Sequence, residues 1–312
     1  MYARFGQELY VQETIAAATI LAIHDEEGDP RLVRERVADS LPQRSPATRL
    51  RVAAKLLQRI TAGAALTDAP GKRASVGDGS PAAMSVSQDA DGSLPTGLTA
   101  FARLLSGLPD TQARRELVYY AAARADKLVG AIARDLLYPY FIENRIPPPY
   151  TEDEFIMANA GLLLAPEPIL TTGCVVDFAR RAWGFESERT ICLALRILRQ
   201  VGVVFSSPLL DARGRVHAYT LAPHSLSLSA LLWGLYEEFG RENLAPAWDQ
   251  VGRAQCARLF VVPPSVVASR LWEAERAGLV GFWSAGGVRR VALKVREPEA
   301  LARLLLAGPE GK

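Results

Sequence analysis

Apolar residues recur at helical spacing through most of the first 150 residues. This period predicts a long helix over residues 8–27, a short helix over 31–40 and a third over 46–60. Further helices are predicted over residues 99–106, 111–124 and 125–144, and Pro147-Pro148-Pro149 ends the run. Thr151 and Glu154 have the spacing of a capping box, so we expect them to open the next helix. Residues 1–149 are therefore predicted to form a helical domain.

Residues 63–97 interrupt this pattern. They are rich in Gly, Ser, Ala and Asp and have no apolar period. We predict a flexible loop of about 35 residues inside the first domain.

From residue 171 the pattern changes to short helices followed by short strands. Helices are predicted over 172–183 and 187–201, the second capped by Ser187, and strands over 203–206 and 215–220. This is the order of a winged helix, a helix-turn-helix followed by a β-hairpin.

The predicted helical domain also contains a cluster of aromatic residues, which we interpret as packing rather than as a base-stacking platform. Its members are Tyr119, Tyr120, Tyr138, Tyr140 and Phe141.

A second copy of the order follows a linking helix at 225–241. It comprises helices over 251–260 and from Pro263 to Ala277, a left-handed cap at Gly278, and strands over 279–284 and 288–295 around Ala285-Gly286-Gly287. The predicted fold class is thus mainly α. An N-terminal helical domain with a helix-turn-helix-like segment is followed by two winged-helix (α+β) domains, at 150–242 and 243–312.

Charge and composition refine this picture. The chain has 312 residues, 49% of them hydrophobic and 22% charged, with a net charge of +2. Residues 1–170 carry a net charge of −3 and residues 171–312 a net charge of +5. A polyanionic partner is therefore expected on the C-terminal half.

The cysteines and the apolar runs bear on the compartment. The three cysteines, Cys174, Cys192 and Cys256, form no CxxC pair, which argues against a disulfide framework or a zinc site. The longest apolar run, Thr14–Ile23, is much shorter than the roughly 20 residues of a spanning helix. We expect a cytoplasmic protein that does not enter a membrane.

Enzyme motifs do not emerge from the sequence. Gly71-Lys72 lacks the other positions of a phosphate-binding loop, and no GxGxxG follows a strand. His24, His217 and His224 are not in metal-ligand spacing. The expectation is a protein that is not an enzyme, with no catalytic residue, no cofactor and no metal site.

Basic residues on the predicted helices are the candidates for DNA binding. On helix 187–201, Arg189, Cys192, Arg196 and Arg199 share one stripe, opposite an apolar stripe that contains Leu195. Arginines on one face of such a helix suit the major groove of duplex DNA.

Two further segments carry basic residues. Residues 41–60 hold five basic residues and no acidic one, and the spacing of Arg51, Lys55 and Arg59 predicts a basic ridge. In the second winged helix, Glu273 and Glu275 weaken the electrostatic case for DNA, so contact with DNA or with protein stays open. The full candidate set is Arg44, Arg49, Arg51, Lys55, Arg59, Arg189, Arg196, Arg199, Arg213, Arg215, Arg270, Arg289 and Arg290.

Several segments together resemble the BrxA proteins of BREX phage-resistance systems. They are ETIAAATILA, SPATRLRVAAKLLQRI, LPDTQARRELVYYAAARADKLVGAIARDLLYPYF, RTICLALRILRQVGVVFSS and TLAPHSLS, spread over most of residues 1–242. The resemblance implies a non-enzymatic bacterial defence subunit that binds duplex DNA beside a methyltransferase, an ATPase and a phosphatase-like protein. The 63–97 insertion and the extra winged helix distinguish this chain from the shorter form.

Two other functions remain open at this point. The winged helices could contact other subunits, which would make the chain an assembly adaptor. Alternatively, the chain is a winged-helix transcriptional regulator, dimerised through the helix at 225–242, although that helix also suits packing between domains.

Overall fold

The computed structural model describes residues 11–23, 30–42, 45–64, 96–158, 168–185, 187–211, 214–222, 226–240, 245–295 and 297–307. The fold of this part is mainly helical, with two small antiparallel sheets. The predicted loop at 63–97 lies outside the described residues except at its ends, which belong to helices. No helix in the described ranges is both long and apolar enough to cross a membrane.

The N-terminal half consists of helices. They are α1 (Val11–Ile23), α2 (Pro30–Asp39), α3 (Pro46–Ala64), α4 (Thr96–Gly107), α5 (Thr111–Ala125), α6 (Lys127–Ala131) and α7 (Tyr138–Phe141). A π-helical segment, Ile132–Leu137, joins α6 to α7 without a break. The side chain of Asp126 accepts a hydrogen bond from the Leu128 N–H and so separates α5 from α6.

Helices α3 and α5 pack at the centre of this half because their apolar residues lie on more than one face. Leu56 and Ile60 on α3 and Leu117 on α5 are almost fully buried. Tyr119 is buried as well, and its hydroxyl donates a hydrogen bond to the Leu259 carbonyl at 2.7 Å. The aromatic cluster therefore packs in the core, which agrees with the interpretation of the sequence. The cluster also connects this half to the C-terminal half.

The first α/β module follows the capping box, which the structure confirms: the Thr151 N–H donates to Glu154 Oε2 at 3.0 Å. The module contains α8 (Glu152–Ala158), β1 (Leu170–Thr171), α9 (Thr172–Trp183), α10 (Glu188–Val201), β2 (Val204–Asp211) and β3 (Gly214–Leu221). Strand β3 lies between β1 and β2, and both pairs are antiparallel.

The second module repeats much of this order. It contains α11 (Leu228–Phe239), α12 (Trp248–Gly252), α13 (Gln255–Leu259), α14 (Pro264–Arg276), β4 (Val280–Ala285), β5 (Val288–Leu293) and α15 (Pro298–Ala307). Ala247 forms an isolated bridge to Arg290, so β5 lies between β4 and this bridge, as β3 lies between β2 and β1. Gly278, Gly286 and Gly287 have positive φ, which confirms the predicted cap and turn.

Two features of the second module differ from the sequence prediction. The single helix predicted over 251–260 is wrong, because the chain breaks at Arg253-Ala254 and forms two short helices. Helix α15, which the sequence analysis did not predict, packs on α4, where a Cβ on Gly107 would lie 2.8 Å from Leu306 Cδ2. One continuous hydrophobic cluster consequently joins all three predicted domains.

The linking helix α11 lies inside this cluster. Leu231, Leu232 and Leu235 are at most 2% exposed. Their burial within the chain favours the packing interpretation over a dimer contact for this apolar face.

Glu116 is buried where α5 meets the start of α11, and it makes folding sensitive to pH. Its carboxylate accepts hydrogen bonds from the Ser227 N–H at 2.7 Å and from Gln112 Nε2 at 2.9 Å. Burial raises its pKa more than these hydrogen bonds lower it. The folded state thus holds this proton more tightly than the unfolded chain, and its contribution to stability is lost as pH rises through the folded pKa.

Replacing Glu116 with glutamine (E116Q) is expected to remove this component of the pH dependence. The free energy of unfolding, measured with urea at a series of pH values above 4, should fall less steeply with rising pH than in the parent protein. The control is Glu188→Gln, which changes an exposed carboxylate. Identical pH profiles for E116Q and the parent would contradict this assignment.

Candidate nucleic-acid interface

Helix α10 presents the arginine stripe that the sequence predicted. Its first turn is capped by the Ser187 side chain, which accepts a hydrogen bond from the Thr190 N–H, and it ends at Gly202 with φ of 82°. Ile191, Leu195 and Leu198 are fully buried along its inner side. The amphipathic pattern fixes the rotation of the helix because the apolar stripe packs against the body of the protein.

The opposite side of α10 carries Arg189, Arg196 and Arg199, all three exposed. Within the part of the chain that the structure describes, no ion pair or hydrogen bond holds these guanidinium groups. We call these three residues the α10 arginine face. Unpaired guanidinium groups on one helix face keep their donors available for phosphate oxygens or base edges.

The hairpin that follows α10 carries two more candidates. Arg213 lies outside the described residues, between β2 and β3 in the sequence. Arg215 pairs with Leu210 across the hairpin, although its side chain is not described. Because β2 begins two residues after Gly202, the hairpin is connected directly to the end of α10.

The predicted basic ridge on α3 is wrong for Arg59. Arg51 is exposed, but Arg59 is only 2% exposed and cannot reach a phosphate from inside the helical core. Lys55 is half-buried, and burial lowers its pKa, with a smaller lowering from the neighbouring Arg59. Helix α3 packs at the centre of the helical half. Neighbouring helices therefore cover part of the stripe on which the sequence spacing placed the basic residues.

The other two candidates in this region differ in how far the structure describes them. Arg44 lies outside the described residues. Arg49 is half-buried, and its Nε atom is buried without a hydrogen-bond partner in the described structure. Among the described residues of the segment 41–60, Arg51 is therefore the one exposed candidate.

Arg270 and Arg290 in the second module are engaged within the chain. The Arg270 guanidinium forms an ion pair with Glu273 one turn along α14. Arg290 donates to the Ala245 carbonyl at 2.9 Å. Contact of either residue with DNA would compete with these internal contacts.

Arg289 lies in a cage of three aromatic rings. Its guanidinium carbon is 4.4 Å from the ring centroid of Trp248, 4.5 Å from that of Trp272 and 4.9 Å from that of Phe282. Cation–π attraction of this kind holds the charge against the hairpin. The charges of Arg289 and Arg290, two of the candidates for DNA binding, are therefore largely used inside the module.

The structure also forms a cleft that sequence reasoning missed. It has a volume of about 760 Å³ and lies between α5, α6, the π-helical segment, the end of α9 and α13. Its polar residues include Arg124, Lys127 and Arg134, and its aromatic residues are Trp183 and Phe185. No sequence motif could have indicated it, because its lining comes from segments that only folding brings together.

No matching family is found by comparison, and no metal site is found among the described residues. Comparison with protein-family models, curated proteins and solved structures returned no match. Among the described residues, no three His, Cys, Asp or Glu side chains are grouped so as to hold a metal ion.

Proposed function

We propose that this chain is a non-enzymatic, double-stranded-DNA-binding accessory subunit of a BREX-type bacterial phage-defence system. The observation that carries the proposal is the α10 arginine face, with three exposed guanidinium groups that no described residue neutralises. The resemblance of residues 1–242 to BrxA proteins supports the biological setting. It also supports a methyltransferase, an ATPase and a phosphatase-like protein as the other components of the complex.

The topology around α10 supports a winged helix as its setting. Helix α9, helix α10 and the β2–β3 hairpin follow one another, and β1 adds to the β3 edge. In winged helices the second helix of the helix-turn-helix enters the major groove, and here that helix is α10. We propose the same architecture for the second module, where Ala247 pairs with β5 in the place of a short strand.

Several basic residues outside α10 are ion-paired or buried, which supports α10 as the principal contact with DNA. On α9, Arg181 is paired with Glu154 and Asp177 at 3.0 Å each. Arg270 on α14 has a partner on its own helix, and Arg59 is buried. A neutralised or buried guanidinium gives little attraction for phosphate, so the electrostatic contribution falls mainly to α10.

A second candidate function, assembly adaptor, is favoured by the surface of the second module. Trp272 is 44% exposed and Trp283 is 47% exposed, beside the ion-paired face of α14. Exposed tryptophan beside arginine is typical of protein-binding hot spots. Both functions are compatible in one subunit, with DNA on the first module and a protein on the second.

The test is a fluorescence-anisotropy titration with a random-sequence duplex of about 25 base pairs, at salt concentrations from about 50 to 200 mM. Three phosphate contacts predict a slope of log affinity against log salt of about −2.7, and contacts from Arg213 and Arg215 would steepen it to about −4.5. Replacing Arg196 with glutamate (R196E) is expected to weaken binding about tenfold. The matched control, Arg115→Glu, makes the same charge change at an exposed position on α5.

The outcomes separate the three functions. A steep salt slope with loss in R196E alone supports the DNA-binding subunit. Equal loss in R196E and R115E assigns the effect to net charge and contradicts the α10 interface. A single sequence bound far more tightly than all others favours a transcriptional regulator. Absence of binding at low salt overturns the DNA-binding proposal and leaves the adaptor.

A further inference from the structure

The cleft between α5, α6, the end of α9 and α13 has the size and lining of a ligand site. Its volume of about 760 Å³ falls within the range of small-molecule pockets. Leu128 and Leu259 provide apolar surface, and the partly buried rings of Trp183 and Phe185 add aromatic surface at the end of α9. Such a lining suits a flat, apolar part of a ligand.

The charged part of the lining is positive. Arg124, Lys127 and Arg134 are three cations, against the single anion Asp135. Lys127 is exposed and has no ion pair within the described part of the chain. Arg134 is paired with Asp135 at 2.6 Å, but both side chains are about one-third exposed, and surface pairs of this kind are weak enough to open for a stronger anion.

Arg124 is held in place by its own contacts. Its guanidinium lies 3.3 Å from a Glu237 carboxylate oxygen and donates to the Tyr120 hydroxyl at 3.1 Å. It therefore positions one wall of the cleft, and Lys127 and Arg134 remain the residues able to meet an anion.

The backbone of the cleft is unusual where these cations lie. Arg134 and Asp135 belong to the π-helical segment Ile132–Leu137, and such segments occur frequently at functional sites. Just before it, Gly130 contacts α5 so closely that a Cβ would lie 2.5 Å from the Ala123 carbonyl oxygen. The wide turn of the π-helical segment and the close contact between Gly130 and α5 together shape this wall of the cleft.

We propose that the cleft binds a nucleotide. The base stacks on Trp183 and Phe185, and the phosphate meets Lys127 and Arg134. Stacking is tolerant of base identity because every base has a π face. The nucleotide is either free or an unpaired nucleotide of a DNA strand, because Phe185 precedes the start of α10 by only a few residues. This inference does not depend on the α10 arginine face.

The experiment uses the full chain and AMP labelled with an N-methylanthraniloyl group, followed by fluorescence anisotropy. Unlabelled AMP should compete, whereas adenosine and pyrophosphate, which lack the phosphate and the base respectively, should compete at least about tenfold less well. Lys127→Glu and Trp183→Leu should each weaken binding by about tenfold or more. Because Lys127 is exposed, its variant reports on binding even if Trp183→Leu impairs folding.

A second arm identifies the source of the nucleotide. A blunt duplex is compared with the same duplex carrying a short single-stranded extension, for the parent protein and for Lys127→Glu. If the extended duplex binds more tightly than the blunt duplex and Lys127→Glu abolishes this difference, the cleft takes a nucleotide of a DNA strand. If AMP binds but the extension adds no affinity, the cleft takes a free nucleotide. If neither probe binds at millimolar concentration, or if Lys127→Glu changes neither affinity, the proposal is overturned.

The two proposals fail independently in these measurements. Replacing Arg196 with glutamate should leave the affinity for labelled AMP unchanged, because Arg196 does not line the cleft. Loss of duplex binding with retained AMP binding would contradict the proposed function alone.

Discussion

Replacing Arg189, Arg196 and Arg199 together with glutamate is expected to reduce the affinity for duplex DNA by more than about a hundredfold at about 100 mM salt. Each neutralised phosphate contributes about 0.9 to the salt slope, so loss of three contacts should flatten that slope by about 2.7. The measurement is the same anisotropy titration, at several salt concentrations. The melting temperature should change little, because all three side chains are exposed and the apolar stripe of α10 is untouched.

A lysine series provides the matched control for the triple variant. Lysines at the same three positions keep the positive charge but lose the bidentate guanidinium geometry. If the lysine variant keeps its affinity for random-sequence duplex, the three arginines contact phosphates. If it loses a sequence preference that the parent protein shows, they contact base edges. If the triple glutamate variant binds duplex as tightly as the parent protein, the α10 arginine face is not the interface.

Replacing Trp233 with alanine (W233A) is expected to give the largest loss of stability. Trp233 is 1% exposed on α11, its ring centroid lies 5.2 Å from that of Phe101 on α4, and its Nε1 donates to the Gly63 carbonyl on α3 at 3.0 Å. The substitution leaves a cavity where three helices meet and an unpaired carbonyl group. A loss of about 3–5 kcal/mol in unfolding free energy and a fall of about 10 °C in Tm should follow.

Two variants separate the causes of this loss. Trp233→Phe keeps an aromatic ring but removes the donor to Gly63, so its cost should be intermediate. Trp283→Ala truncates a tryptophan that is 47% exposed on β4 and should cost much less than W233A. Calorimetry or thermal melts monitored by circular dichroism measure all three. Equal losses for W233A and Trp283→Ala would show that burial at the α11–α3–α4 junction is not what stabilises this core.

Local patterns predicted the elements whose causes are local. The apolar stripe of α10, its Ser187 cap and the Thr151–Glu154 capping box all follow from residues within a few positions of one another. Positive φ at Gly286 and Gly287 follows from a two-residue hairpin turn in the same way. The break at Arg253-Ala254 was not predicted although Gly252 directly precedes it, because a single Gly is also tolerated inside a helix.

The state of each basic residue, by contrast, depends on distant segments. The sequence placed Arg59 on a ridge with Arg51, but packing around α3 buries it. The sequence analysis listed Arg289 as a candidate for DNA binding, but Trp248 and Trp272, which are far from it in sequence, surround it. Spacing along a helix identifies which residues share a face, but it does not identify what covers that face.

The sequence by itself determined that the chain is mainly helical, and it determined which face of α10 is basic. These properties arise from helical periodicity and end-capping, which act over a few residues. The tertiary structure decided which cations stay unpaired, where α15 packs and that a cleft forms between α5, α6, the end of α9 and α13. Burial, ion pairing and cavity shape are set by contacts between segments far apart in the chain, which a local pattern does not record.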